Sequence, residues 1–167
     1  MNPVLETERL IIRRWDVERD LDDAFAIYGD PETMRFIPCG PLDRERTRTL
    51  IGRMRCREDD YGFGIWPVVH KSHNRVIGEC GVAYIPEHGK AVEIAWIFNS
   101  AYHRQGFATE AARAVMRHAF EDLNIWPLHA LIDPENRRSI ALANRLGLRF
   151  SGIIRAYHHD LMRYRTA

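Results

Sequence analysis

The stretch AVEIAWIFNSAYHRQGFATEAARAV, residues 91–115, decides the fold. Its first eight residues are mostly β-branched, aromatic or small, the composition of a strand over 91–98. Beyond it Ala112, Val115, Met116, Ala119 and Leu123 recur at helical intervals and predict a helix over 108–123. Arg104, Gln105 and Gly106 stand between the two. Backbone N–H groups at a helix start have no intrahelical partner and attract anions, so the junction is either an anion seat or punctuation between core elements. It is not a P-loop, because no lysine and hydroxyl residue follow Gly106, and it is not a dinucleotide fingerprint, because Gly106 has no glycine at either required offset.

Toward the N-terminus, residues 61–70 and 75–85 read as two more strands, separated from each other and from 91–98 by the turn sequences KSHNR and PEHGK. Three consecutive strands with short turns predict an antiparallel meander. Two helices precede them: one after Asp16, ended by Gly29, Asp30 and Pro31, and one within 41–60 with Asp43 as its N-cap. ERLIIRRW (8–15) opens as a strand. Toward the C-terminus, 127–132 reads as a strand, 136–146 as a helix stopped by Gly147, and 148–165 as a hairpin. The order β, α, α, β, β, β, α, β, α, β, β predicts one α/β (α+β) domain over 1–167: a mixed, largely antiparallel sheet of about seven strands flanked by about four helices.

A chain of 167 residues can bury a core without staples. Its formal net charge of +1 gives no excess with which to displace counterions from nucleic acid, and no nucleic-acid partner is expected. Cys39, Cys56 and Cys80 are odd in number and form no CxxC pair, which argues against a disulfide framework or a zinc site. His70, His73, His158 and His159 lie on strand–turn segments without acidic or cysteine companions. They read as solvated, and no metal is expected. No apolar run is long enough to cross a membrane, and the expected location is the cytoplasm.

Together, residues 91–115 and PENRRSIALANRLGLRFSG (134–152) resemble the GCN5-related N-acetyltransferase family. TERLIIRRW (7–15) extends the resemblance to its RimJ/RimL-like branch, the ribosomal-protein N-terminal acetyltransferases, so that it spans essentially the whole chain. The resemblance implies acetyl-CoA as co-substrate, its pyrophosphate wrapped by His103, Arg104, Gln105, Gly106, Phe107 and Ala108. His103 replaces the arginine or glutamine usual in the family. Gly106 and Ala108 are small enough to let phosphate reach the backbone, and Thr109 either adds its hydroxyl or serves as an N-cap. Trp96, Ile97 and Phe98 are expected to pair through their backbone with the pantetheine arm, as an added strand would, and to aim an N–H at the thioester oxygen.

An amine attacks a thioester only when neutral: at pH 7 about 10% of an α-amine is, against about 0.04% of a lysine side chain. Positioning can supply about 7–11 kcal/mol, so a modest base suffices. Glu93 is the candidate base, acting directly or through a water; strand alternation leaves it either on a cleft or on the solvent face. Glu79, on the neighbouring strand, is a weaker candidate and reads as exposed. Many family members protonate the leaving thiolate with a tyrosine at the position held here by Ala143. The branch instead carries Asn-x-x-Ser, which places Asn136 against the pantetheine amides and Ser139 against the sulfur; as bare sequence these are an N-cap and a surface position. Tyr157 and Tyr164 stay open as proton donors.

The expected activity is transfer of acetyl from acetyl-CoA to a primary amine, of a small molecule or of a peptide or protein, by direct attack in a ternary complex. A catalytically silent acyl-CoA-binding module of the same fold is the alternative. Residues 29–41 and the first two helices are expected to cap the acceptor site, and family analogy allows a homodimer.

Overall fold

The computed structural model describes residues 4–167. In chain order the elements are β1 (Leu5–Glu6), β2 (Leu10–Ile12), α1 (Val17–Tyr28), α2 (Arg44–Tyr61), β3 (Ile65–His70), β4 (Arg75–Tyr84), β5 (Val92–Phe98), a 3-10 turn at Ser100–Tyr102, α3 (Phe107–Glu121), β6 (Leu128–Ile132), α4 (Arg137–Arg145), β7 (Arg149–Ala156) and β8 (His159–Arg165). The strands form one sheet in the order β1-β2-β3-β4-β5-β6-β8-β7. Every neighbouring pair is antiparallel except β5 and β6.

Each helix starts where a short polar side chain can satisfy a first-turn N–H, with one exception. Asp16 caps α1 through the Arg19 N–H, Asp43 caps α2 through that of Arg46, and Asn136 caps α4 through that of Ser139. The exception is α3, whose N-cap is Gly106 with no side-chain cap. Helix α1 buries Leu21, Ala24, Ile27 and Tyr28, and α2 contributes Ile51, so both cover one face of the sheet with Trp15 and Met34. Helix α3 buries Ala111, Ala112, Val115, Met116 and Ala119 against the other face, over Ile77, Val82 and Ile94. Covered on both sides, β4 is buried over Val76–Val82, where a half-exposed strand would alternate.

The α/β class, the four helices and the mostly antiparallel sheet are as expected, but the described residues form eight strands. The predicted strand over 8–15 is three residues long. Thr7 turns the chain, its N–H donating to the Leu10 carbonyl at 3.0 Å and its Oγ1 accepting from the Leu10 N–H at 3.1 Å, which folds Leu5–Glu6 back on Ile11–Ile12 as β1. The strand read over 61–70 begins at Ile65, because Gly62, left-handed at φ 76°, ends α2.

Candidate active site

Strand β5 is seven residues long but pairs with β6 only at Val92 and Glu93, after which the two part. The Asn99 N–H bonds the Ile77 carbonyl of β4, so alternation turns the N–H and C=O of Trp96 and Phe98 toward the gap and, against expectation, those of Ile97 toward β4. The sheet thus presents an unpaired edge in its middle. The Phe98 carbonyl accepts from His103 Nε2 at 2.8 Å, while His103 Nδ1 accepts from the Arg138 guanidinium at 2.7 Å, which fixes the tautomer. Arg138 continues to Glu32 at 3.0 Å.

The loop after the strand delivers the chain to α3 through two left-handed residues, Arg104 at φ 61° and Gly106 at φ 84°. With Gly106 as a side-chain-free cap, the N–H groups of Phe107, Ala108 and Thr109 open toward solvent with no side-chain acceptor. The loop is braced from behind. Glu110, in the first turn of α3, accepts from Thr7 Oγ1 at 2.6 Å, the Arg9 N–H at 2.9 Å and Arg9 Nε at 2.7 Å. Arg9 also donates to the Gln105 carbonyl at 3.0 Å and covers the Phe107 ring. Burial opposes the Glu110 charge, but these hydrogen bonds outweigh it and hold its carboxyl below the usual range.

Two cavities meet beside β5. A groove of about 630 Å³ runs along Trp96, Ile97, Phe98, His103, Arg104, Gly106, Phe107, Ala108, Thr109, Asn136 and Ser139. Of the residues expected around a cofactor, Gln105 stands outside this lining, its side chain turned back to the Ala101 carbonyl at 3.2 Å. Arg104, Arg137 and Arg145 also line the groove, and among the described residues none of the three has a carboxylate partner. The second cavity, about 800 Å³, lies on the α1–α2 side and holds both Glu79 and Glu93. Phe36, Ile37, Trp96, Ile97, Asn136 and Ser139 line both, so the two share that wall.

Glu93 is 6% exposed and accepts from the Tyr157 hydroxyl; Glu79 is 4% exposed and accepts from that of Tyr28. Burial raises each carboxyl to about 7, against the pull of its tyrosine. The two alternatives for Glu93 thus resolve to the cavity. The expectation that Glu79 is exposed is corrected: α1 packs on this face of β4 and encloses it. Ser139 is half-buried, and its Oγ accepts from Trp96 Nε1 at 3.2 Å, leaving its own O–H free to donate. Asn136 uses Oδ1 as the cap of α4 at 3.1 Å, and its amide nitrogen has no partner among the described residues. Tyr164 is buried against Phe150 and lines neither cavity.

Of the histidines read as solvated, His73, His158 and His159 are exposed and only His70 differs. His70 is half-buried, stacked on His73 and edge-on to Phe107, and burial pushes its pKa down. Among the described residues no three His, Cys, Asp or Glu side chains could hold a metal ion. Of the two tyrosines left open as proton donors, Tyr157 lines the second cavity and bonds Glu93; sequence reading missed Tyr28, bonded to Glu79 by the tertiary fold alone, and Arg138, which no local pattern joins to His103.

An open strand edge, an uncapped helix start and two buried carboxylates thus stand together beside β5. The acetyltransferase (GNAT) domain model matches residues 9–149, and the chain belongs to that family; it is an acetyltransferase. The YkkB protein of Bacillus subtilis (strain 168) is 30% identical over 164 residues, 96% of this chain and 93% of its own. The crystal structure of an acetyltransferase from Agrobacterium tumefaciens C58 superposes with a TM-score of 0.84 at 26% identity, covering 100% of this chain and 95% of that one. The ribosomal L7/L12 α-N-protein acetyltransferase RimL, solved in complex with coenzyme A, has a TM-score of 0.80 at 17% identity over 98% of this chain and 97% of its own, a likeness of fold alone.

Proposed function

We propose that the protein moves an acetyl group from acetyl-CoA to a primary amine, by direct attack with both substrates bound. The adjacency of the two cavities carries this reading: a groove suited to a polyanion with a long arm shares Trp96 and Ser139 with a chamber that holds carboxylates. The bare start of α3 suits a diphosphate, with a helix terminus contributing about 0.3–1 kcal/mol toward an anion. Arg104, Arg137 and Arg145 add free positive charge along the same groove. The outward N–H and C=O groups of Trp96 suit the amides of a pantetheine arm, and that N–H suits an oxygen gaining charge. Acetyl-CoA supplies the activated thioester; the chain orients it, accepts a proton and donates one.

Glu93 is the base in this reading, directly or through a water, and its upward shift suits a proton acceptor working near neutrality. Ser139 donates toward the departing sulfur, since Trp96 occupies its acceptor side. Asn136 turns its free amide toward the arm. The acceptor is a small-molecule amine or a protein N-terminus, under the cap formed by residues 29–41 and the first two helices. Membership of the RimJ/RimL-like branch rests on the TERL phrase, whose Thr7 and Arg9 brace the loop, and on Asn136 and Ser139. We read residues 1–167 as one catalytic domain working in the cytoplasm, with a homodimer compatible with the fold.

A buried Ala143 where many relatives carry a tyrosine favours the second reading, an acyl-CoA-binding module without turnover. Two measurements separate them. Coenzyme A at 100 times its dissociation constant should stabilise the fold by about 2.7 kcal/mol, visible as a raised melting temperature. Thiol release from acetyl-CoA should rise on adding primary amines. Stabilisation without amine-stimulated release selects the silent module, and no response to coenzyme A sinks both.

A further inference from the structure

A groove suited to a polyanion carries one acid on its wall. Four arginines line it, Arg104, Arg137, Arg138 and Arg145, and among the described residues of the lining Glu32 alone is acidic. Glu32 meets Arg138. The guanidinium donates through Nη2 to Glu32 Oε1 at 3.0 Å and through Nη1 to His103 Nδ1 at 2.7 Å. These three residues come from three walls of the groove: α4, the loop ahead of α3, and segment 29–41. Arg138 therefore reaches from the α4 wall to the other two.

The Arg138–Glu32 pair is not what fastens segment 29–41 to the loop. The Ser100 N–H donates to Thr33 Oγ1 at 2.9 Å, and Ser100 Oγ donates to Asp30 at 2.8 Å. Arg138 and Glu32 are 48% and 53% exposed, and an ion pair so well hydrated is weak enough to exchange. His103 sets where the guanidinium stands. Its Nε2 holds the carbonyl of Phe98, the last residue of β5, and Arg104, next in the chain, begins the left-handed turn toward α3. Arg138 is thus held between the open strand edge and the bare helix start. A phosphate group offers more charge than a carboxylate and suits the same planar fork of donors.

We propose that Arg138 is a further cofactor-binding residue and that Glu32 is its built-in competitor, an inference that rests on the acetyl-CoA reading above. Arg138 exchanges Glu32 for the diphosphate as coenzyme A enters, and Glu32 takes the guanidinium back as coenzyme A leaves. The exchange lowers affinity for the spent cofactor and speeds its departure. Asp30 and Thr33 keep the segment in place throughout.

Calorimetry and stopped-flow displacement of coenzyme A test this on the wild type, Glu32→Gln, Arg138→Met and the double variant. Both side chains are about half exposed, so all of them should fold, which melting curves check. Glu32→Gln should bind coenzyme A about 3- to 10-fold more tightly, chiefly through slower dissociation. Arg138→Met should bind it about tenfold more weakly. In the Arg138→Met background, Glu32→Gln should change the affinity by less than about twofold, the non-additivity of two groups in contact. A Glu32 that merely braces the groove has the opposite sign: weaker or unchanged binding by Glu32→Gln overturns the proposal. So does an equal gain with and without Arg138, which makes Glu32 a repelling charge and no competitor. 3′-Dephospho-coenzyme A keeps the diphosphate and should repeat the cycle; a cycle that vanishes with it overturns the assignment to the diphosphate. Each of these failures leaves the transferase reading standing, whereas a wild type that binds no coenzyme A overturns both.

Discussion

Burial lifts the Glu93 carboxyl to about 7 even though the Tyr157 hydroxyl bonds to it, because a charge in this cavity loses more hydration than one hydrogen bond returns. As the proposed base it must be ionised. The kcat/KM of the wild type should therefore rise with pH and level off above about 7. Glu93→Gln should lower kcat by about 10²- to 10³-fold and remove that inflection; an unchanged profile would take the base role from Glu93. Glu79 has the same upward shift, and its consequence for stability has a definite sign. The folded state keeps a proton that the unfolded chain gives up above 4.5, so the contribution is complete below 4.5 and is lost as pH rises through about 7. Glu79→Gln does not titrate. The stability difference, wild type minus variant, should shrink between pH 5 and pH 7 in denaturant titrations. Neither shift could be read from the sequence, because a glutamate inside an apolar strand looks alike on a solvent face and in a sealed cavity.

Helix α3 differs from the others in what begins it: Thr109, left by the sequence as a possible N-cap, lies inside the first turn, and Gly106 without a side-chain cap takes that place. The sequence offers Asp16, Asp43 and Asn136 ahead of the other helices but only Gly106 ahead of this one. Gly106 is left-handed at φ 84°, and an added Cβ would lie 3.4 Å from the Arg9 guanidinium. Gly106→Val should cost about 1–2 kcal/mol of stability and weaken coenzyme A binding at least about tenfold, read by melting and by calorimetry. Asp43→Ala removes the α2 cap at a similar cost of about 1 kcal/mol and should leave coenzyme A affinity unchanged. Equal losses of affinity in both variants would mean that instability, not the helix start, governs binding. The first strand was less legible. Residues 8–15 carry the right composition, but Thr7 turns the chain, and only the partner strand at Ile11–Ile12 makes Leu5–Glu6 a strand at all.

A long tie joins the N-terminal turn to the loop ahead of α3, through Thr7, Arg9 and Glu110, about a hundred positions apart in the chain. Glu110→Ala should cost about 1–2 kcal/mol, modest because Arg9 is 40% exposed, and should loosen the loop enough to lower coenzyme A affinity. Unaltered affinity in a folded Glu110→Ala protein would show that the loop holds its shape without the brace. The sequence by itself determined the order of the helices and main strands and the caps Asp43 and Asn136, because periodicity and turn chemistry are local, while the grouping of Trp96 to Thr109 with Asn136 and Ser139 was implied by the family resemblance. Tertiary structure alone decided that β5 and β6 part after Glu93, that Glu79 shares a cavity with Glu93, and that Tyr28, Tyr157 and Arg138 reach their partners. Those facts depend on which faces meet when the layers pack, and burial and electrostatic environment exist only after that packing.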